Sequence, residues 1–265
     1  MPNSAGIGLP HGRSYSVADG VVTDAITGLV WQQTVPTQRR SWSAAKEACQ
    51  TLVLGGRDDW RLPSRIELVS LIENRRSDPS LDLTAFPFTP GAGLGSDWFW
   101  TSTPAAGDPA KAWYVYFYFG YPDIEEQSSE FAVRCVRGGP AAVQQPGYEI
   151  VGEMVRDSGT GLSWQRGISP TGLGFAGAAQ YCADLTLGDS GDWRLPTLTE
   201  LETLVDDSRV SPAIHVATFP DSSSEPFWTS TVFSDSVSRA WYVRFDGGGA
   251  LYEREDVTRR VRCVR

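Results

Sequence analysis

The chain has 265 residues, with 41% apolar and 21% charged residues, a globular mixture rather than a disordered one. Its formal net charge of −9 excludes the basic footprint that nucleic-acid binding needs. No apolar run approaches the roughly 20 residues of a membrane-spanning helix.

Residues 1–18 carry no apolar signal-peptide core and read as an N-terminal leader or extension, left where a leader or an upstream region has been removed. Next comes "VVTDAITGLVWQQ", which alternates around a Thr-Gly turn and predicts a β-hairpin. "SWSAAKEACQTL" places Trp42, Ala45, Cys49 and Leu52 at helical spacing, with Ser41 or Ser43 as N-cap. "DDWRLPSRIEL" at 58–68 then predicts a second helix. Ser64 and Glu67 have capping-box spacing, and Leu68, Leu71 and Ile72 form its buried stripe. "FWTST", "AWYVYFYFG" and "FAVRCVR" have the aromatic and β-branched character of strands.

The whole pattern then repeats. "GDWRLPTLTEL" at 191–201 matches 58–68 at an offset of 133, and 19 of 49 positions from Asp24 to Ile72 are identical to Asp157 to Val205. Beyond Phe86 and Phe219 the offset falls to 128, so copy 1 carries five extra residues before "FWTST". Insertions collect in surface loops, which makes this segment a loop in both copies. The expected organisation is an extension at 1–18, copy 1 at 19–139, a Gly/Pro/Ala-rich linker at 140–148 and copy 2 at 149–265. Both copies are acidic, with 11 Lys+Arg against 15 Asp+Glu in 19–139 and 11 against 17 in 149–265.

Glu67 and Glu200 are open to two readings, as capping groups or as catalytic or metal-binding carboxylates. No partner acid stands at a short fixed spacing in both copies, which favours scaffold. The four cysteines allow three pairings. The repeat favours Cys49–Cys135 and Cys182–Cys263, because each copy should fold alone; four buried free thiols are the alternative. Paired disulfides imply an oxidising compartment. A zinc site has little support, with no C-x-x-C and only His11 and His215 to assist.

The motifs D-x-x-T-G-L-x-W, W-R-L-P-[ST]-x-x-E-L, F-W-T-S-T, A-W-Y-V and V-R-C-V-R occur in this order twice. They resemble the C-terminal domain of the collagen-like adhesin of Legionella, which defines a bacterial domain family. The resemblance implies an α+β fold: two tandem C-type-lectin-like domains of the type shared with formylglycine-generating enzymes. Each has two helices, a mostly antiparallel sheet and one disulfide from first helix to last strand. It also implies a secreted, periplasmic or cell-surface binding domain associated with adhesion to glycans. The family's binding of sulfated polysaccharides relies on a basic surface, and both copies here are acidic. Arg39, Arg40, Arg75 and Arg76 in copy 1, and Arg254, Arg259 and Arg260 in copy 2, are the local exceptions; pairing with Asp or Glu is their expected state.

Catalysis is not expected. The cysteines are assigned to bridges, the two His are isolated, and "DGGGA" at 246–250 reads as a hairpin turn rather than a phosphate loop. Function should then lie where the copies differ: the loop after the second helix and the hairpin after "AWYV". The candidate ligand-contacting residues are Trp98, Tyr114, Tyr116, Tyr118 and Tyr121 in copy 1, with the tyrosines at 114, 116 and 118 alternating onto one strand face and Tyr121 in the turn. In copy 2 they are Arg244, Asp246 and Tyr252. Aromatic faces with nearby polar groups suit sugars, and equally suit a protein partner in a surface or envelope assembly. The two copies should not share one ligand. Asp78, Asp82, Asp206 and Asp207 are candidate calcium ligands, since oxygen-rich loops suit that ion.

Overall fold

A computed structural model describes residues 3, 12–73, 76–87, 97–139, 147–222, 224–234, 236 and 238–265. The insertion at 88–96, the linker residues 140–146, His11 and Arg75 lie outside the described residues. The chain divides into two units, Met1–Ala141 and Ala142–Arg265. Each is mixed α/β, and every strand ladder described is antiparallel.

The first unit opens with β1 (Tyr15–Ala18), which pairs with β2 (Val21–Asp24). The segment read as an extension therefore supplies a strand. Arg13 also docks on the end of the second helix, donating to Glu73 and to the carbonyls of Ser70 and Ile72. The hairpin continues into β3 (Val30–Gln32). Its turn is closed by buried Asp24, whose carboxylate accepts the Ile26 N–H at 2.8 Å and the Thr27 hydroxyl at 2.7 Å. Asp157 and Thr160 repeat this closure at 2.7 Å in the second unit. The D-x-x-T-G motif is thus an Asx turn that fixes hairpin register.

Helix α1 (Trp42–Gln50) buries Ala45 and Cys49, and Ser41 stands at its N-cap without a side-chain cap bond. Helix α2 (Arg65–Val69) begins with a complete capping box between Ser64 and Glu67. It is shorter than the apolar stripe, yet Leu71 and Ile72 beyond its end remain buried. Strands β4 (Trp98–Pro104), β5 (Lys111–Tyr116) and β6 (Tyr121–Glu126) form the second sheet. Alternation along β4 and β5 sends Phe99, Val115 and then Phe117 into the cluster with Leu68, Val69 and Ile72. The opposite face sends Trp100, Ala112 and Tyr114 against Ala45 and Cys49. One helix therefore packs on each face.

"FAVRCVR" behaves differently from an ordinary strand. Only β7 (Val136–Arg137) pairs in a ladder, with β3, while Phe131 and Ala132 hold single bridges to Arg40 and Phe99. The reason is Arg134, which is fully buried and donates at 2.6 Å to the carbonyls of both Gln32 and Gln33. Its guanidinium lies 4.9 Å from the Phe86 ring centre. Burial pushes its pKa down to about 9. A base lowered on folding opposes stability fully below that value, and the opposition eases only as pH climbs through it. Backbone carbonyls and ring faces, rather than a carboxylate, offset that cost.

The second unit repeats the plan: β8 (Tyr148–Val151), β9 (Met154–Asp157), β10 (Ser163–Gln165), α3 (Phe175–Ala183) and α4 (Leu198–Leu201). Then come β11 (Pro226–Val232), β12 (Arg239–Arg244) and β13 (Ala250–Arg254). Arg262 occupies the place of Arg134, again fully buried and pushed down to about 9 by burial. The disulfides are Cys49–Cys135 and Cys182–Cys263, the pairing the repeat favoured.

Candidate functional site

The two segments that differ most between the copies meet in space. In the first unit the loop after α2 hydrogen-bonds the β5–β6 turn, with the Asp78 N–H donating to the Tyr118 carbonyl at 2.8 Å. The Ser80 N–H and hydroxyl both donate to the Phe117 carbonyl, at 2.6 and 2.8 Å. The second unit makes the same join: Ser211 N–H to Asp246 carbonyl at 2.9 Å and Ala213 N–H to Phe245 carbonyl at 2.6 Å. Buried Phe117 and Phe245 anchor the turn from below.

Gly120 makes the approach possible. Its φ is +85°, and a Cβ there would stand 2.6 Å from Ser80 Oγ and 2.8 Å from Ile72 Cγ2. Gly120→Ala should therefore cost about 2 kcal/mol, from left-handed backbone strain plus the clash. Urea denaturation of the full chain measures it, and an unchanged midpoint would remove Gly120 from this role.

On this platform the first unit gathers Trp98, Tyr116, Tyr118, Phe119 and Tyr121. Tyr116 stands at the centre, stacked on Tyr118 at 5.9 Å and meeting Trp98, Phe119 and Tyr121 edge-on at 5.8, 5.7 and 5.5 Å. All five are half-buried. Burial first, then the charges of Asp97, Tyr118 and Asp78, raises the Tyr116 hydroxyl above its ordinary pKa. It therefore stays a neutral donor and acceptor at neutral pH.

Four of the five sequence candidates in this unit come together; Tyr114 does not join them. It is 5% exposed, stacked under Trp98 at 5.0 Å and against Phe131 at 5.2 Å, and belongs to the core. Tyr121, expected in the turn, is the first residue of β6 and pairs with Tyr116. Phe119 was missed, although it stands inside the same "YFYFG" run.

In the second unit the candidates separate. Arg244 and Asp246 pair at 3.7 Å beside the turn. Tyr252 stands opposite Trp241 in the ladder, hence on the face away from Arg244. There it stacks on Phe233 at 3.9 Å with Trp241 edge-on at 5.3 Å.

The acidic candidates stand in two loops, Asp78 and Asp82 after α2 and Asp206 and Asp207 after α4. Asp82 Oδ1 accepts the Thr84 N–H at 2.9 Å, and Asp206 Oδ1 accepts from Ser208 while Oδ2 pairs with Arg209 at 3.2 Å. Asp78 and Asp207 join neither in a cluster: no group of three or more His, Cys, Asp or Glu able to hold a metal occurs among the described residues. Asp82 and Asp206 cap turns with these carboxylates.

Glu67 and Glu200 are engaged as scaffold. Each accepts two bonds from the arginine of its own W-R-L-P motif: 2.7 and 2.6 Å from Arg61, and 2.7 Å twice from Arg194. Of the arginines picked out in the sequence, Arg254 pairs with Asp256 at 2.7 Å and Arg260 with Glu225 at 2.7 Å.

A model of the Lcl C-terminal domain family matches residues 20–137 and, again, residues 153–265. A comparison with curated proteins finds no match.

Proposed function

The chain belongs to the Lcl C-terminal domain family, carrying the domain twice in tandem, and from this we propose an exported, non-catalytic adhesion module. Membership points to an adhesin-associated role, and the two disulfides with it point to an extracellular or surface location. We read each unit as C-type-lectin-like; the disulfide tie from its first helix to its closing segment supports this. The ligand is a glycan or other cell-surface group.

The observation that carries this reading is the join between the α2 loop and the β5–β6 turn, crowned in the first unit by five half-buried aromatic side chains. Rigid aromatic faces give large contact area at little conformational cost, with hydroxyls at their rims for direction. Paired Tyr116→Ala and Tyr118→Ala substitutions should weaken ligand binding ~10-fold or more, as loss of central aromatic anchors does. Surface plasmon resonance against the glycan that binds the unaltered chain measures this, with size-exclusion chromatography alongside. Unchanged affinity would remove the cluster from the site. A changed oligomeric state instead would favour the other reading, a structural module whose aromatic face makes protein–protein contacts.

A further inference from the structure

The two units carry one site in two chemical forms. Trp98 and Pro226 open equivalent strands, and the same offset of 128 pairs Asp97 with Glu225, Tyr114 with Tyr242, Tyr116 with Arg244 and Phe131 with Arg259. The bridges confirm the match: Arg40 to Phe131 and Phe99 to Ala132 in one unit, Leu173 to Arg259 and Phe227 to Arg260 in the other. In the first unit the indole of Trp98 fills this place, stacked on Tyr114 and edge-on to Phe131 at 5.0 Å. Pro226 has no such side chain, and Gly172 replaces the long side chain of Arg39. The result is a pocket of about 240 Å³ lined by Gly172, Glu225, Pro226, Thr258, Arg259 and Arg260.

Two arginines line it, and they differ. Arg260 is committed, bonding Glu225 at 2.7 Å and the carbonyls of Ser169 and Pro170 at 3.1 and 2.9 Å. Arg259 is not. Its backbone is held on both sides by Leu173, at 3.0 and 2.8 Å, and its guanidinium carbon stands 4.5 Å from the Tyr242 ring centre. It forms no ion pair among the described residues, and its Nε–H is buried without a hydrogen-bond partner. A guanidinium held on an aromatic face keeps its planar fork ready for a planar bidentate anion.

We propose that this pocket in the second unit binds the carboxylate of a sugar acid, with Arg259 as the residue that selects it. Glu225 in the pocket lining disfavours ligands of higher negative charge, as does the excess of 17 acidic over 11 basic residues in 149–265. Among the lining residues only Pro226 has an apolar side chain, so the lining offers hydroxyl and charge contacts rather than a hold for a peptide side chain. The volume is below that of pockets for drug-sized ligands and suits a single small residue. The inference deepens the reading of this chain as a ligand-binding module and rests on it.

The test is nitrogen-proton correlation NMR on the full chain, titrated with sodium glucuronate, with glucose, with N-acetylalanine and with sodium sulfate. Glucuronate should give saturable shifts of the Arg259 Nε–H signal, with glucose giving none. Arg259→Gln should weaken glucuronate binding ~10-fold or more, as loss of a charge-assisted bidentate contact does. Arg254→Gln, at a residue outside the pocket lining whose side chain pairs with Asp256, controls for lost charge alone and should bind as the unaltered chain does. Equal shifts with N-acetylalanine would overturn the sugar-acid assignment in favour of peptide termini, and tighter binding of sulfate would overturn the carboxylate. Full glucuronate affinity in folded Arg259→Gln, or no binding by the unaltered chain, would overturn the proposal itself. In the last case, retained binding of another glycan through Tyr116 and Tyr118 would leave the function of the first unit standing.

Discussion

Glu200→Ala should destabilise the second unit by about 3–5 kcal/mol, the cost of removing one member of a buried ion pair. The carboxylate is 1% exposed and accepts both Arg194 nitrogens at 2.7 Å. It also accepts the Thr197 N–H at 2.9 Å. Its loss strands a charge and an orphan donor at the helix start together. The equivalent Glu67→Ala in the first unit should cost about half as much. There the pair is wetter, with Arg61 37% and Glu67 16% exposed, and water takes over part of the lost interaction. Urea denaturation followed by tryptophan fluorescence measures both. Equal and small effects, below about 1 kcal/mol, would mean the motif's Arg–Glu pair is ornamental and the aromatic packing alone holds the helix.

Cys182→Ala with Cys263→Ala should have an effect of comparable size. The bridge spans a separation of 81 residues and both cysteines are fully buried. Constraint of the unfolded chain over such a loop is worth about 4 kcal/mol. Amide hydrogen exchange reads the effect locally: protection of Tyr242 and Val243 in β12 should fall by about three orders of magnitude if these amides exchange through global opening of their unit. Unchanged protection would show that the unit's core suffices without the covalent tie.

Much of the scaffold was legible because it is written twice. Matched motifs isolate what both copies need: the Asp–Thr turn, the capping box, the cysteine pair. The partner of Glu67 was not legible, because Arg61 stands six residues earlier across a Leu-Pro bend, a spacing no helical or strand rule brings together. Arg134 and Arg262 were hidden for a different reason. Arginine is ordinarily a surface residue, and only the folded chain shows two carbonyls and an aromatic face converging on each. The aromatic candidates were legible as a group, yet their exposure was not. Tyr114 and Tyr116 share a strand face, and what buries only the first is Phe131 and Trp98, brought from elsewhere in the sequence. For the acidic residues, loop carboxylates serve turns as readily as ions, and spacing alone does not separate the two uses.

The same comparison explains why the copies should differ in ligand. A shared frame sets the join between the α2-type loop and the hairpin turn, and substitutions at its rim exchange Trp98, Tyr116 and Phe131 for Pro226, Arg244 and Arg259. Aromatic stacking gives way to an open, charged pocket with no change in backbone plan.

The proposed function is binding of a surface glycan through these joined variable segments. A broad glycan array, probed with the full chain in calcium and again in EDTA, measures it. A saturable hit that survives EDTA is expected, because the Asp82 and Asp206 carboxylates accept N–H groups of their own turns. No hit under either condition would contradict the glycan reading and turn the search to a protein partner. A hit lost in EDTA would contradict the site, and would return Asp78, Asp82, Asp206 and Asp207 to the role of calcium ligands.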